Sequence, residues 1–268
     1  MDRTQQEYFD EKQIPQKTET KYSNAFAYLT RSRCISGSIV SELMKTHRIY
    51  QDTRNNVVFV NPNEKGEVGF WCLRGTNTEK KFTRNMSGSN NPYYGFALDA
   101  HCECDTLYVF EAPIDLLSHC TIADIKYGEG SWHNQHRIAL CGVNDTALRY
   151  YLTSHKSITT IKFCLDNDDA GTTAADNLMT KYYELGYKIQ LINYNNAPEK
   201  DINEMLCNYV NKNREKCTAQ NSKAKDTEKQ KDNITNYTTE DDYEIEERPP
   251  IVSTGSGRQH SMEYMGIY

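Results

Sequence analysis

A chain of 268 residues with 37% hydrophobic residues, 19 Tyr and a net charge of -6, at a mean hydropathy of -0.79, describes a polar globular protein long enough for two modest domains. That acidity excludes nucleic-acid binding by bulk charge, although a local basic groove is compatible with it. No apolar run approaches the ~20 residues that cross a bilayer, MDRTQQEYFDEKQ lacks a signal-peptide core, and nine scattered cysteines read as reduced thiols of a cytoplasmic protein.

Residues 1–20 are polar and aperiodic, which predicts a flexible leader or a weakly docked arm. Residues 21–100 predict a small α+β domain. Ala25, Phe26, Tyr28 and Leu29 suit a short helix, and Ile39, Val40, Leu43 and Met44 recur at helical spacing behind Ser36 as N-cap. From Arg48 the pattern turns to strands: IYQD, NVVFVN, VGFWCL, KKFTR and YYGFAL, broken by NPNEKGE and a Gly/Asn/Pro-rich segment. These predict a small antiparallel sheet.

Residues 101–212 alternate strand and helix, the mark of a parallel sheet with crossover helices. The strands are LYVFE, RIALCG, TTIKFCLD and YKIQLINY; the helices are PIDLLSHCTIAD with Pro113 in its first turn, NDTALRYYLTSH, AGTTAADNLMTKYYEL stopped by Gly186, and INEMLCNYVNK. Residues 213–268 lack apolar residues to offset the entropy of ordering, which predicts a disordered polar tail. Its acidic EDDYEIEE run reads as a solvated segment, and the sequons at Asn233 and Asn236 carry no meaning in a cytosolic protein.

Chemistry concentrates where parallel strands end, the usual ligand edge of open α/β sheets. Asp166 and Asp168 are two residues apart, so in extended backbone their carboxylates point the same way. Such a pair repels itself unless a cation or a proton intervenes. Glu111, ending the first strand, supplies a further oxygen ligand from across the sheet, and hard oxygen donors suit Mg²⁺, with Mn²⁺ as a substitute. Gly142 and Gly171 allow backbone to approach a phosphate. In PEKDINE, Lys200 can pair with a substrate phosphate and Asp201 can act as an outer metal ligand.

Taken in order, FEAPIDLLS, ALCG, CLDNDDAG and KDINE resemble the toprim family, the catalytic module shared by DnaG-type primases, type IA and II topoisomerases and some nucleases. The likeness spans roughly residues 105 to 210 and is strongest to the primase-like toprim proteins of plasmids, phages and conjugative elements. Upstream, YLTRSRCIS, VVFVN, LRGT and GSNNPYYGF are similar to the small domain of uncharacterised function that precedes toprim in those proteins. The resemblance implies a Rossmann-like toprim sheet and a Mg-dependent, primase-like nucleotidyltransferase acting in DNA replication or transfer. Catalysis then falls to Glu111, Asp166, Asp168 and Lys200, with Arg31, Arg33, Arg74 and Lys81 contacting template or nucleotide phosphates. Implied partners are single-stranded DNA or an RNA/DNA template, nucleotide triphosphates, and a helicase or relaxase of the same element. The alternatives are a toprim nuclease and a non-catalytic DNA-binding accessory protein. Topoisomerase activity is not expected, because strand passage needs a nucleophilic Tyr on a further domain.

The pattern departs from such primases in lacking a Cys/His module ahead of the core. His101, Cys102 and Cys104 in AHCECD have no second spaced pair to complete four ligands, so zinc is not expected. His119, Cys120, Cys141 and Cys164 read as packing residues. Phe70, Trp71, Tyr93, Tyr94 and Phe96 read as sheet core in preference to base-stacking platforms.

Overall fold

The computed structural model describes residues 14–19, 23–77, 83–85, 93–141, 145–165, 169–192 and 199–216. Two units are distinguished, Met1–Asn208 and Tyr209–Tyr268. In the second, residues 209–216 are helical, three residues beyond the expected start of the tail, and the rest lies outside the described residues.

The first unit opens with an arm on the small sheet. Lys17 bridges Asp52, the Tyr50 hydroxyl donates to the Pro15 carbonyl at 2.7 Å, and Ile14 packs against Val58, Val60, Trp71 and Leu73. The expected short helix is α1 (Ser23–Ala27) running into a single π turn, Tyr28–Ser32, which closes with the Arg33 amide on the Tyr28 carbonyl. In α2 (Gly37–Lys45) Ser36 holds the N-cap position without capping through its side chain. Its hydroxyl pairs with Ser38 and its amide donates to Thr121 Oγ1 at 3.0 Å, which ties α2 to a later helix.

The small sheet is β1 (Ile49–Gln51), β2 (Val57–Pro62), β3 (Val68–Arg74) and β4 (Thr83–Asn85), antiparallel in that order. One expected member is missing. The YYGFAL strand, β5 (Phe96–Leu98), pairs instead with the second sheet, antiparallel to β7 (His136–Ala139). Alternation and aromatic content mark a strand but do not choose its partner. Gly95 explains the fit: a Cβ there would lie 2.5 Å from the Ala139 carbonyl oxygen, so only glycine lets β5 enter this close to β7.

The second sheet has the order β5-β7-β6-β8-β9, with β6 (Thr106–Phe110), β8 (Thr160–Cys164) and β9 (Lys188–Leu191) all parallel to β7. Helices α3 (Pro113–Tyr127), α4 (Thr146–Ser154) and α5 (Asp169–Glu184) supply the crossovers, and residues 202–216 form α6. Central β6 is buried on both faces. Leu107 and Val109 join Ile138, Ile161, Phe163, Leu148 and Tyr182 in the larger core, while Tyr108 and Phe110 meet His119 of α3 at ring separations of 4.3 and 5.3 Å. That double coverage explains why LYVF is apolar without alternation. Phe70, Trp71 and Phe96 are buried, as a core reading requires.

Candidate active site

Glu111 owes its position to Pro113. The proline ring disfavours helical backbone at Ala112, which is extended at φ -130, ψ 153, and Pro113 then starts α3 where its missing N–H costs nothing. The strand therefore ends at Phe110, and Glu111 stands at the carboxyl edge of the sheet, half-buried. The neighbouring strand fixes its backbone. The Leu140 amide donates to the Phe110 carbonyl at 3.0 Å, and the Cys141 amide to the Glu111 carbonyl at 2.9 Å. Cys141 makes that turn at a positive φ of 57, uncommon for a non-glycine residue.

On the other side, β6 and β8 run parallel with Phe110 opposite Cys164. Strands in a sheet lie ~4.8 Å apart, so the row that carries Glu111 on β6 meets Leu165 on the β8 side, one residue before Asp166. Asp166 and Asp168 themselves lie outside the described residues, as do Gly142 and Lys81. Gly171 is the third residue of α5. Of the three expected ligands Glu111 is the one among the described residues, and its carboxylate is a hard-oxygen donor of the kind Mg²⁺ takes.

The remaining expected site residues divide. Asp201 caps α6: its Oδ1 accepts from the Glu204 amide at 2.8 Å, while Glu204 Oε2 accepts from the Lys200 amide at 2.7 Å, a reciprocal cap over KDINE. Arg31 is exposed on the π turn. Arg33 and Arg74 converge on the buried Tyr28, whose hydroxyl accepts from Arg33 Nε at 2.9 Å and Arg74 Nε at 3.3 Å. Arg33 also donates to Asn203 Oδ1 at 3.2 Å. Arg33 thus links the small module to the second one, while Arg74 and Tyr28 meet within the small module.

Asn203 was missed outright. It is 3% exposed, and its amide donates to the Arg33 carbonyl at 2.8 Å and to Ser118 Oγ at 2.9 Å, so it joins α6, α3 and the end of the π turn. Its place inside KDINE was the available signal. At the same sheet edge Cys72 of β3 lies 3.9 Å from Cys141, sulfur to sulfur, so the small sheet reaches the turn beside Glu111. That contact with Cys141, reinforced by burial, pushes the Cys72 thiol pKa well above its usual value, which keeps it protonated and unreactive.

A largely parallel five-stranded sheet with Glu111 at its carboxyl edge, beside a small antiparallel sheet, fits a toprim-type α/β fold. Residues 108–206 match the family model described as Toprim-like, and residues 27–101 match Protein of unknown function (DUF3991); the chain carries a Toprim-like domain preceded by that second domain. An uncharacterised Bacillus anthracis protein, pXO2-78, is 27% identical over 188 residues, covering 66% of this chain and 53% of its own length. The chain therefore spans about half the length of that curated relative. Among solved structures the fold is similar to the DnaG primase catalytic domain bound to ssDNA, with a TM-score of 0.49, 13% identity and coverage of 77% of this chain and 75% of that one. The primase fragment of the bacteriophage T7 primase-helicase protein is similar at a TM-score of 0.42 and 17% identity, over 66% of this chain and 68% of that chain.

Proposed function

We propose that this chain is a metal-dependent, primase-like nucleotidyltransferase that extends a 3′-hydroxyl on a single-stranded template, serving replication or transfer of a mobile element. The observation that carries it is the parallel register of β6 and β8, which sets Glu111 and the start of LDNDDAG at one sheet edge. Glu111, Asp166 and Asp168 would hold Mg²⁺, or Mn²⁺ in its stead, and such an ion polarises a phosphoryl oxygen and stabilises the entering or departing oxygen. The chain's own contribution is positional. The Cys141 amide fixes the Glu111 backbone, Lys200 is exposed beside the α6 cap where a triphosphate can meet it, and Arg31 offers an exposed cation on the small module. Arg33 and Arg74, which meet on the Tyr28 hydroxyl, supply the further phosphate contacts, and Arg33 also ties the small module to Asn203.

The Toprim-like match and the plasmid-style name of the relative pXO2-78 support the mobile-element setting. The test is incubation with single-stranded DNA, labelled nucleotide triphosphates and Mg²⁺ or Mn²⁺. Labelled oligonucleotides that disappear in Asp166→Asn/Asp168→Asn, with DNA binding retained, are expected. Shortened input DNA with no new label would replace synthesis by cleavage at the same site, and turnover that survives the double variant would remove both.

A further inference from the structure

Three tyrosines gather at the sheet edge that carries Glu111. Ala139 of β7 lies opposite Phe96 on one side and Phe110 on the other, so the start of antiparallel β5 and the end of β6 share one row. Tyr93 and Tyr94 come just before β5 and Glu111 just after β6, and both segments overhang the same edge. Two strand spacings, ~10 Å, separate them. Both tyrosines are half-buried and stand outside the two sheets, whereas their aromatic character alone suggested sheet core. Tyr150 of α4 completes the group. Its ring meets those of Tyr93 and Tyr94 edge to face, at centroid separations of 5.7 and 5.3 Å and interplanar angles of 67° and 64°. We propose that Tyr93, Tyr94 and Tyr150 form a platform on which the unpaired bases of single-stranded nucleic acid stack. The platform rests on the nucleotidyltransferase reading above and adds to it the place where a template crosses the sheet edge.

The rings are held in advance. The Tyr94 hydroxyl donates to Glu64 Oε2 at 2.6 Å and the Tyr150 hydroxyl to Glu64 Oε1. One carboxylate from the β2–β3 hairpin thus pins a ring from each of two other segments, and groups already ordered lose less freedom when a ligand arrives. In an edge-to-face pair the ring that presents its edge keeps both faces clear of its partner, and each of the three tyrosines retains some surface in contact with solvent.

The chemistry selects single strands. Every base has a π-face, so phenol rings accept a template of any sequence, while the paired bases of a duplex have their faces covered by their neighbours. Exposed Lys65 and Arg149 adjoin Glu64 and Tyr150 in the chain, cations suited to the phosphates that link stacked bases. A chain of net charge -6 gains little from bulk attraction, and stacking supplies affinity that does not depend on it.

The test is fluorescence anisotropy of the full-length protein with a labelled oligothymidylate and with an equally long strand that lacks bases, in EDTA and without nucleotide. The metal site plays no part under those conditions, so absent primer synthesis with intact binding would count against the nucleotidyltransferase reading alone. Tighter binding of the base-bearing strand is expected. Tyr93→Leu and Tyr150→Leu should each weaken it at least about fivefold, with affinity for the baseless strand and circular dichroism unchanged. Tyr93→Phe and Tyr150→Phe keep the ring and should bind like the parent. Equal affinity of the parent protein for the two strands, a comparison that needs no variant, would overturn the proposal whatever a substitution does to folding. So would Leu variants that bind oligothymidylate like the parent, lose both strands equally, or lose no more than their Phe counterparts.

Discussion

Arg33 and Asn203, 170 residues apart, exchange two hydrogen bonds: the guanidinium donates to Asn203 Oδ1 at 3.2 Å, and the Asn203 amide returns one to the Arg33 carbonyl at 2.8 Å. Asn203 also holds Ser118 on α3. Asn203→Ala leaves a buried carbonyl and a hydroxyl without this donor, so a loss of about 1–3 kcal/mol is expected in urea denaturation. Asn203→Asp should be no milder, since it replaces the donor with a charge. A change below about 0.5 kcal/mol, the range of ordinary surface substitutions, would show that the clasp does not carry the interface.

Gly95→Ala tests why β5 left the small sheet. The added Cβ meets the Ala139 carbonyl oxygen at 2.5 Å, a backbone atom that cannot swing aside. Overpacking of this kind costs about 1–3 kcal/mol. Hydrogen exchange should speed up at Phe96–Leu98 and along β7 more than in β8 and β9.

His119 sets a pH dependence. Burial, reinforced by the Arg137 guanidinium that donates to its Nδ1 at 2.8 Å, holds its pKa well below the ordinary 6.5. Below about pH 6.5 the unfolded imidazole binds a proton that the folded one refuses. His119 therefore costs no stability above that value and removes stability as pH falls, by up to about 1.4 kcal/mol per pH unit. Unfolding free energies measured from pH 7.5 to 5.5 for the protein and for His119→Asn should differ by an amount that shrinks toward low pH. A constant difference would mean that the folded ring titrates normally.

The parallel strands and crossover helices of the second half were legible because the central strand is apolar on both faces and Pro113 and Gly186 mark helix ends. The partner of β5 was not, since three residues of strand hold no record of which edge they join. Sequence displays the charge of Arg33 and Arg74 and hides that they meet on Tyr28 and that Arg33 reaches Asn203. Asp201 read as an outer metal ligand, and the structure adds that its Oδ1 caps the start of α6, a local role that sequence spacing alone did not separate from ligation. Glu111 was read correctly to its strand end because the proline two residues on dictates where that strand stops.

The most direct measurement is Mn²⁺ binding by water-proton relaxation, scored as the fraction that excess Mg²⁺ displaces, for the protein, Glu111→Gln, Asp166→Asn and the two combined. Shared ligation predicts that each single change weakens displaceable binding at least about tenfold and that the combination costs less than the sum, because one ion is lost only once. Displaceable binding that is untouched by Glu111→Gln yet abolished by Asp166→Asn would contradict a joint site at this sheet edge.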